Sequence, residues 1–410
     1  MGRGAVNFPR PRLWRSSFAP GAAPAWPAEA GTQARPRAGG RPSPVLLVYA
    51  LAAVLGLAVT LAAARLLPSA LHAVDRALQG SSVVAGRTLP ADTLLYTVTD
   101  GDHGEIRRLS VEGKAGSAVA PGGLQGAAIA SKDGSALLYL RAGCVSCSAL
   151  YTLRDAGGQT RVLGSAPLRP LYEGLRADAA FSPDDRFVAF AEAGADAPVP
   201  HIFLFDRRSG ERRALAPYDP APEDNPVWSP DGERVAFFSG GEKTIVVAAD
   251  VKTGGLHPLN DQLDHAASLA WSPDGRYLSL LRAGQIWLID GRSGHGFALA
   301  APGAARALGG WSPGSHELIA AVAPKDPAAQ QAAEGSPALE VVALPVDDGA
   351  ARTLARGPLL GAPRWSADGR RIAWAQGSDT AWTLLIAPSA GGAPQPLASG
   401  TGQIALDQWH

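Results

Sequence analysis

The sequence predicts an all-β protein, a seven-bladed β-propeller carried behind a single N-terminal transmembrane helix. Three observations predict it. A five-residue motif recurs six times, an apolar run of strand length follows each copy, and an uncharged stretch of twenty residues precedes them all. Self-similarity at a period of 40 to 50 residues with strand-like runs points to radially repeated sheets.

The motif is clearest as Trp271-Ser272-Pro273-Asp274-Gly275 and Trp228-Ser229-Pro230-Asp231-Gly232. Looser copies are Phe181-Ser182-Pro183-Asp184-Asp185, Trp365-Ser366-Ala367-Asp368-Gly369, Trp311-Ser312-Pro313-Gly314-Ser315 and Ala130-Ser131-Lys132-Asp133-Gly134. Ser or Asp caps a type I turn, Pro presets φ at its second position, and Gly relieves the exit. Apolar runs such as Arg234 to Phe238 and Arg371 to Trp374 follow, so each copy reads as the turn of a hairpin. The successive serines lie 51, 47, 43, 40 and 54 residues apart.

These residues resemble the TolB-like β-propeller repeat, whose signature is an aromatic-Ser-Pro-Asp-Gly turn before a hydrophobic strand. The resemblance covers about residues 91 to 410. It implies a propeller with a tendency to protein–protein interaction in the cell envelope, although propellers host many unrelated activities.

The elements follow in order. Residues 1 to 43 hold seven arginines against the single acid Glu29, with Pro, Ala and Gly filling most of the rest. They read as a disordered basic cytoplasmic arm. Within 44–67, Val45 to Ala64 carries no charge and is long enough for the ~30 Å hydrocarbon core at ~1.5 Å per residue. The basic residues before it put the N-terminus inside and the remainder in the periplasm or cell exterior of a bacterium. A cleaved signal peptide is the competing reading, disfavoured by the long apolar core and the long arm. Residues 68–90 form a short stalk.

The propeller spans 91–410. Leu94 to Val98 and Glu105 to Val111 make a hairpin without a motif turn before it, with Ser117 to Ala120 as a third strand. This blade lacks its first strand, and Gln403 to Trp409 is expected to supply it by pairing with Leu94 to Val98. Closure removes open sheet edges. Six motif blades plus this shared one make seven. The 320 residues from Ala91 to His410 then give about 46 per blade. Six blades are the alternative, as in the TolB propellers that the repeat resembles.

The motif turns occupy one rim. Blade links and the turns between second and third strands occupy the other, and this loop rim carries the irregular insertions Gly164 to Ala177, Glu192 to Pro200, Ala216 to Asn225 and Ala323 to Pro337. Insertions gathered on one face suggest a recognition surface. Its candidate residues are Tyr172, Arg176, Asp178, Tyr218, Asp219, Glu223, Asp224, Asn225, Asp261, Asp264 and His265. Tyr and Arg anchor interfaces, and the acids would select a cationic partner.

Other chemistry finds little support. Cys144 and Cys147 are the only cysteines. They fall between strand-like runs, and outside the cytoplasm they are expected to form a structural disulfide rather than a redox dithiol. Asp100 to Glu105 lacks the length and distal Glu of a calcium loop. The eight histidines are scattered without ligand spacing, so no metal is expected. No G-x-S-x-G elbow, Walker loop or dinucleotide fingerprint occurs, and no cofactor is expected. Lys plus Arg equals Asp plus Glu at 37 each, which gives no basic field for nucleic acid.

The reading is a membrane-anchored, extracytoplasmic propeller acting as a non-catalytic interaction scaffold for an unknown protein or envelope ligand. Alternatives are a ligand- or glycan-binding sensor signalling across the membrane and, more weakly, a metal-dependent propeller hydrolase or lactonase.

Overall fold

The computed structural model describes residues 88–101, 103–110, 124–142, 149–166, 178–193, 199–215, 221–240, 243–260, 263–314, 316–325, 338–347, 349–378 and 380–410. The expected arm, transmembrane helix and most of the stalk lie outside them, as do the third strand over Ser117 to Ala120 and the Cys144–Cys147 pair.

Every regular element among these residues is a β-strand. The chain opens blade 1 with β1 (Thr93–Asp100) and β2 (His103–Ser110). Blade 2 is β3 (Leu124–Ala130), β4 (Ala136–Ala142), β5 (Leu150–Asp155) and β6 (Thr160–Ser165). Blade 3 is β7 (Ala179–Phe181), β8 (Phe187–Glu192), β9 (His201–Asp206) and β10 (Arg212–Ala214). Blade 4 is β11 (Glu223–Trp228), β12 (Arg234–Ser239), β13 (Lys243–Asp250) and β14 (Leu256–Pro258), and the short β15 (Leu263–Asp264) also pairs with β13. Blade 5 is β16 (Ala266–Trp271), β17 (Tyr277–Arg282), β18 (Gln285–Asp290) and β19 (Gly296–Leu299). Blade 6 is β20 (Gly303–Trp311), β21 (Glu317–Pro324), β22 (Leu339–Pro345) and β23 (Arg352–Gly357). Blade 7 is β24 (Arg364–Trp365), β25 (Arg371–Gly377), β26 (Ala381–Pro388) and β27 (Gln395–Thr401). The chain returns to blade 1 with β28 (Gln403–Trp409).

Seven blades therefore form, and the closing strand is the expected one. β28 pairs antiparallel with β1, matching Leu94 to Trp409, Thr97 to Ala405 and Thr99 to Gln403. Thr93 and His410 exchange backbone hydrogen bonds at 3.0 and 2.9 Å beyond the last pair. Asp92 reinforces the junction by accepting from Trp409 Nε1 at 2.9 Å and pairing with Arg371 of blade 7.

The core lies between blades rather than within them. One buried cluster joins Ala189, Ile202 and Leu204 of blade 3 to Trp228, Val235 and Phe237 of blade 4. Six others fill the remaining junctions, including Leu94 and Leu406 of blade 1 against Leu384 of blade 7. Both faces of each middle strand are thus covered. This explains near-continuous apolar runs such as Val235 to Phe238 instead of the alternation of a one-sided sheet.

The motif acts within its turn and across blades. In blade 5 the Ser272 hydroxyl donates to Asp274 at 2.6 Å and accepts the Tyr277 N–H at 2.8 Å, and Asp274 also accepts the Arg276 N–H at 3.1 Å. The same three bonds recur around Ser131, Ser182, Ser229 and Ser366. Gly275 stands at φ +72°, a backbone conformation that favours glycine, and packs beside Pro230 of the preceding blade. The motif aromatic ends the inner strand, and in two copies it reaches back one blade: Trp228 Nε1 donates to the Ala180 carbonyl and Trp311 Nε1 to that of Ala270.

Candidate functional site

The loop rim begins where the inner strands begin, and the expected candidates divide there into three groups. Tyr172, Arg176, Tyr218, Asp219 and Asp261 lie outside the described residues. Asp224 and Asn225 are half-buried on β11, Asp264 lies on β15, and His265 is exposed just ahead of β16. Asp178 and Glu223 are buried at 5% and 0% exposure, which corrects their placement on an open surface.

The reason is that the link into blade 4 ends earlier than its composition suggests. Glu223, Asp224 and Asn225 already belong to β11. Glu223 Oε2 accepts the N–H of Ile202 at 2.7 Å, and its own N–H donates to the Pro200 carbonyl at 2.8 Å. Ile202 lies on β9, beyond the short partner strand β10, so its amide needs an acceptor from elsewhere. At the next junction Asn260 Oδ1 takes the Val246 N–H in the same way, at 2.7 Å. Glu223 is therefore a stitch between blades 3 and 4. Asp178 similarly contributes its carbonyl, which accepts from Ala191 N at 2.9 Å and Tyr151 Oη at 3.3 Å.

A feature of the inner strands escaped sequence reasoning. The β3–β4, β11–β12 and β16–β17 ladders slip after Gly126, Asp224 and Ala267, each five residues before its motif serine. Ala127, Asn225 and Ser268 stand at the bulges with φ of +53°, +58° and +62°. Asn tolerates that region, whereas Ala carries a strain of order 1–2 kcal/mol that the surroundings must hold. Bulges of this kind re-aim backbone donors away from the ladder.

At the motif-rim end of the axis a cavity of about 530 Å³ opens, lined among others by Ile129, Phe181, Pro183, Gln408, Trp409 and His410. It sits where blade 1 has no motif turn. Its wall includes Ala367 and Lys132, the two copies in which the motif proline is replaced. Asp185 spans blades 2 and 3 there, its carboxylate accepting the N–H groups of Lys132 and Asp133 at 2.7 and 2.9 Å. On the same rim between blades 5 and 6, His316 Nε2 lies 2.9 Å from Asp274 and Nδ1 2.7 Å from Asp347. The bond to Asp347, with the charge of both carboxylates, raises the imidazole pKa above its ordinary value. Among the described residues no group of three or more His, Cys, Asp or Glu is placed to hold a metal ion.

These features define a seven-bladed β-propeller with a loop-bearing rim and a motif rim. No family model matches the chain. Among solved structures it is similar to TolB from Acinetobacter baumannii at 16% identity and a TM-score of 0.46, over 77% of this chain and 82% of that one. It is also similar to one of two prolyl endopeptidases solved together, at 10% identity and a TM-score of 0.54, over 78% of this chain and 50% of that one. A puromycin hydrolase mutant gives 16% identity and a TM-score of 0.54, over 78% of this chain and 55% of that one. This chain thus matches only about half the length of either hydrolase, and what it shares with them is the propeller fold.

Proposed function

We propose that this chain is a membrane-anchored, extracytoplasmic propeller that serves as a non-catalytic protein-interaction scaffold in the bacterial envelope, presenting its loop rim to a partner. The observation that carries the reading is the point at which the described chain enters the ring. Leu89 N–H donates to the Gly134 carbonyl at 2.8 Å, and Ala91 lines the motif-rim cavity, so the first described residues join the ring at the motif rim. The loop rim, at the other end of the ring, is the surface the reading offers to a partner. The exposed His265 and the half-buried Asp224, Asn225 and Arg282 stand on that open rim.

The test is photocrosslinking of the full chain in its native membranes. A crosslinking residue replaces His265 on the loop rim or Arg292 on the motif rim. The reading expects a discrete adduct from position 265 and none from 292, with the protein retained in the membrane after alkaline carbonate washing. Adducts confined to position 292, or release of the protein by carbonate, would contradict it.

A further inference from the structure

The six copies of the motif are not equally faithful, and their departures meet in one place. Blade 2 has Ala130 where the other copies have an aromatic ring, and Lys132 where most have proline. Blade 7 has Ala367 in place of that proline, and blade 3 has Asp185 in place of the glycine. Blade 1 has no continuous turn, only Ala91 from one end of the ring and Trp409 and His410 from the other. These residues are scattered along the chain, yet all of them line the cavity of about 530 Å³ at the motif-rim end of the axis. Blades 4 and 5, which keep the motif whole, contribute nothing to its described wall. Only Gly314 and Ser315 of blade 6 depart from the motif elsewhere. A repeat that keeps its rule where turns merely build the ring, and breaks it around one concave space, marks that space as serving something besides the fold.

The departures also set the chemistry of the wall. Ile129, Phe181 and Pro183 supply apolar surface, and Lys132 adds an ammonium group. Asp185 adds a carboxylate whose two oxygens are taken by the Lys132 and Asp133 N–H groups, at 2.7 and 2.9 Å. It does so from φ +56°, the left-handed region that Gly232 and Gly275 occupy in the whole copies, and such strain gathers at functional sites. Asp133 is likewise engaged, with the Ser131 hydroxyl and the Ser135 N–H. Arg207 lies over the Phe181 ring and is held by the Asp185 carbonyl and Ser135 Oγ. Gln408 Oε1 accepts the Ala130 N–H at 2.7 Å, which leaves its NH2 group to donate. The Lys132 ammonium is then the charge on this wall that no described residue answers.

We propose that the cavity is a binding site for a small aromatic carboxylic acid, its ring against Ile129, Phe181 and Pro183 and its carboxylate on Lys132 and the Gln408 amide. The volume falls within the roughly 300–1,000 Å³ of small-molecule sites, which are mostly apolar with a few polar groups that fix orientation. A flat ring packs well against Phe181 and the proline ring. An anion is favoured over a cation because the carboxylates nearby are already satisfied, whereas the ammonium and an amide donor are not. The site lies on the motif rim, apart from the loop rim offered to a protein partner, and does not depend on that reading.

Fluorine NMR titration of the full-length chain in detergent micelles tests this with 4-fluorophenylacetate, and with 4-fluorophenethylamine as a similar ring of opposite charge. An acid this small is expected to bind with a Kd of roughly 1 mM or tighter. The amine should bind at least about tenfold more weakly. Lys132→Gln should weaken the acid roughly two- to fivefold. Ala367 is exposed on its turn, so Ala367→Trp should keep the circular dichroism of the parent while filling the mouth and abolishing binding. That variant also measures how much of either probe merely enters the micelle, and Lys132→Gln, at another exposed position, carries the test if it misfolds. No saturation by about 10 mM, equal binding of acid and amine, binding that survives Ala367→Trp, or an affinity unmoved by Lys132→Gln would each overturn the proposal.

Discussion

Replacing Ser272 with Ala tests whether the motif serine, rather than the turn sequence as a whole, holds each blade. Ser272 is fully buried, and its hydroxyl both donates to Asp274 and accepts the Tyr277 N–H. Alanine strands that buried N–H, at a cost of about 1–3 kcal/mol, and removes a hydrogen bond to an ionised group worth about 1.5–3 kcal/mol. Asp274 is more than a third exposed and regains water, so the second contribution is discounted heavily. About 2–3 kcal/mol is expected for the variant. Blade 6 supplies an internal control, because Gly314 stands where the other motifs have Asp. Ser312→Ala therefore loses no charge-assisted bond and should cost about 1 kcal/mol less. Hydrogen exchange resolved by blade measures both as local opening free energies. Equal costs in blades 5 and 6, or a cost in blade 5 below about 0.5 kcal/mol, would refute the assignment of the serine–aspartate pair.

Further expectations concern the junctions. Trp409→Ala removes a ring that is 6% exposed, together with its bond to Asp92, and should destabilise the fold by about 3–5 kcal/mol, measured by denaturant unfolding. Glu223→Ala leaves the Ile202 amide without its carboxylate and should raise exchange at β9 and β11 while leaving β25 untouched; unaltered exchange at Ile202 would count against the stitch. His316 contributes stability that is fully present below its ordinary pKa of 6.5 and lost as pH rises through its raised folded value. His316→Asn should therefore weaken the blade 5–6 junction at pH 6 by less than about 1 kcal/mol and change it little at pH 9, read by exchange at β17 and β21.

Much of the fold was legible because it is repetitive. Six copies of one turn set the blade period, and Gln403 to Trp409 matched the end of an inner strand, so the partner of β1 could be named. A second repeat was present in the sequence and went unused: Asp206-Arg207-Arg208-Ser209-Gly210, Asp250-Val251-Lys252-Thr253-Gly254 and Asp290-Gly291-Arg292-Ser293-Gly294. In each the Asp accepts the N–H groups two and three residues further on, closing the turn between the third and outer strands.

The candidate site was less legible. Glu223 reads as a solvated acid in a Pro-rich link, and only the amide of Ile202, placed beside it by the neighbouring blade, gives it a buried task. Asp407 shows the same limit more sharply, since its partner Thr97 is 310 positions away in the chain. The bulges at Ala127, Asn225 and Ser268 share a position but no residue type, so no local pattern marks them.

The most direct measurement of ring closure is an engineered disulfide between paired positions of the first and last strands. Thr99 faces Gln403 in the register described. The chain carrying Thr99→Cys and Gln403→Cys should oxidise to a crosslinked species under native conditions, detected by a fragment joining the two ends after proteolysis. Failure of that pair to crosslink, with efficient crosslinking of Gln403→Cys to Asp100→Cys instead, would mean that the ends meet in another register and that the seam is not as drawn.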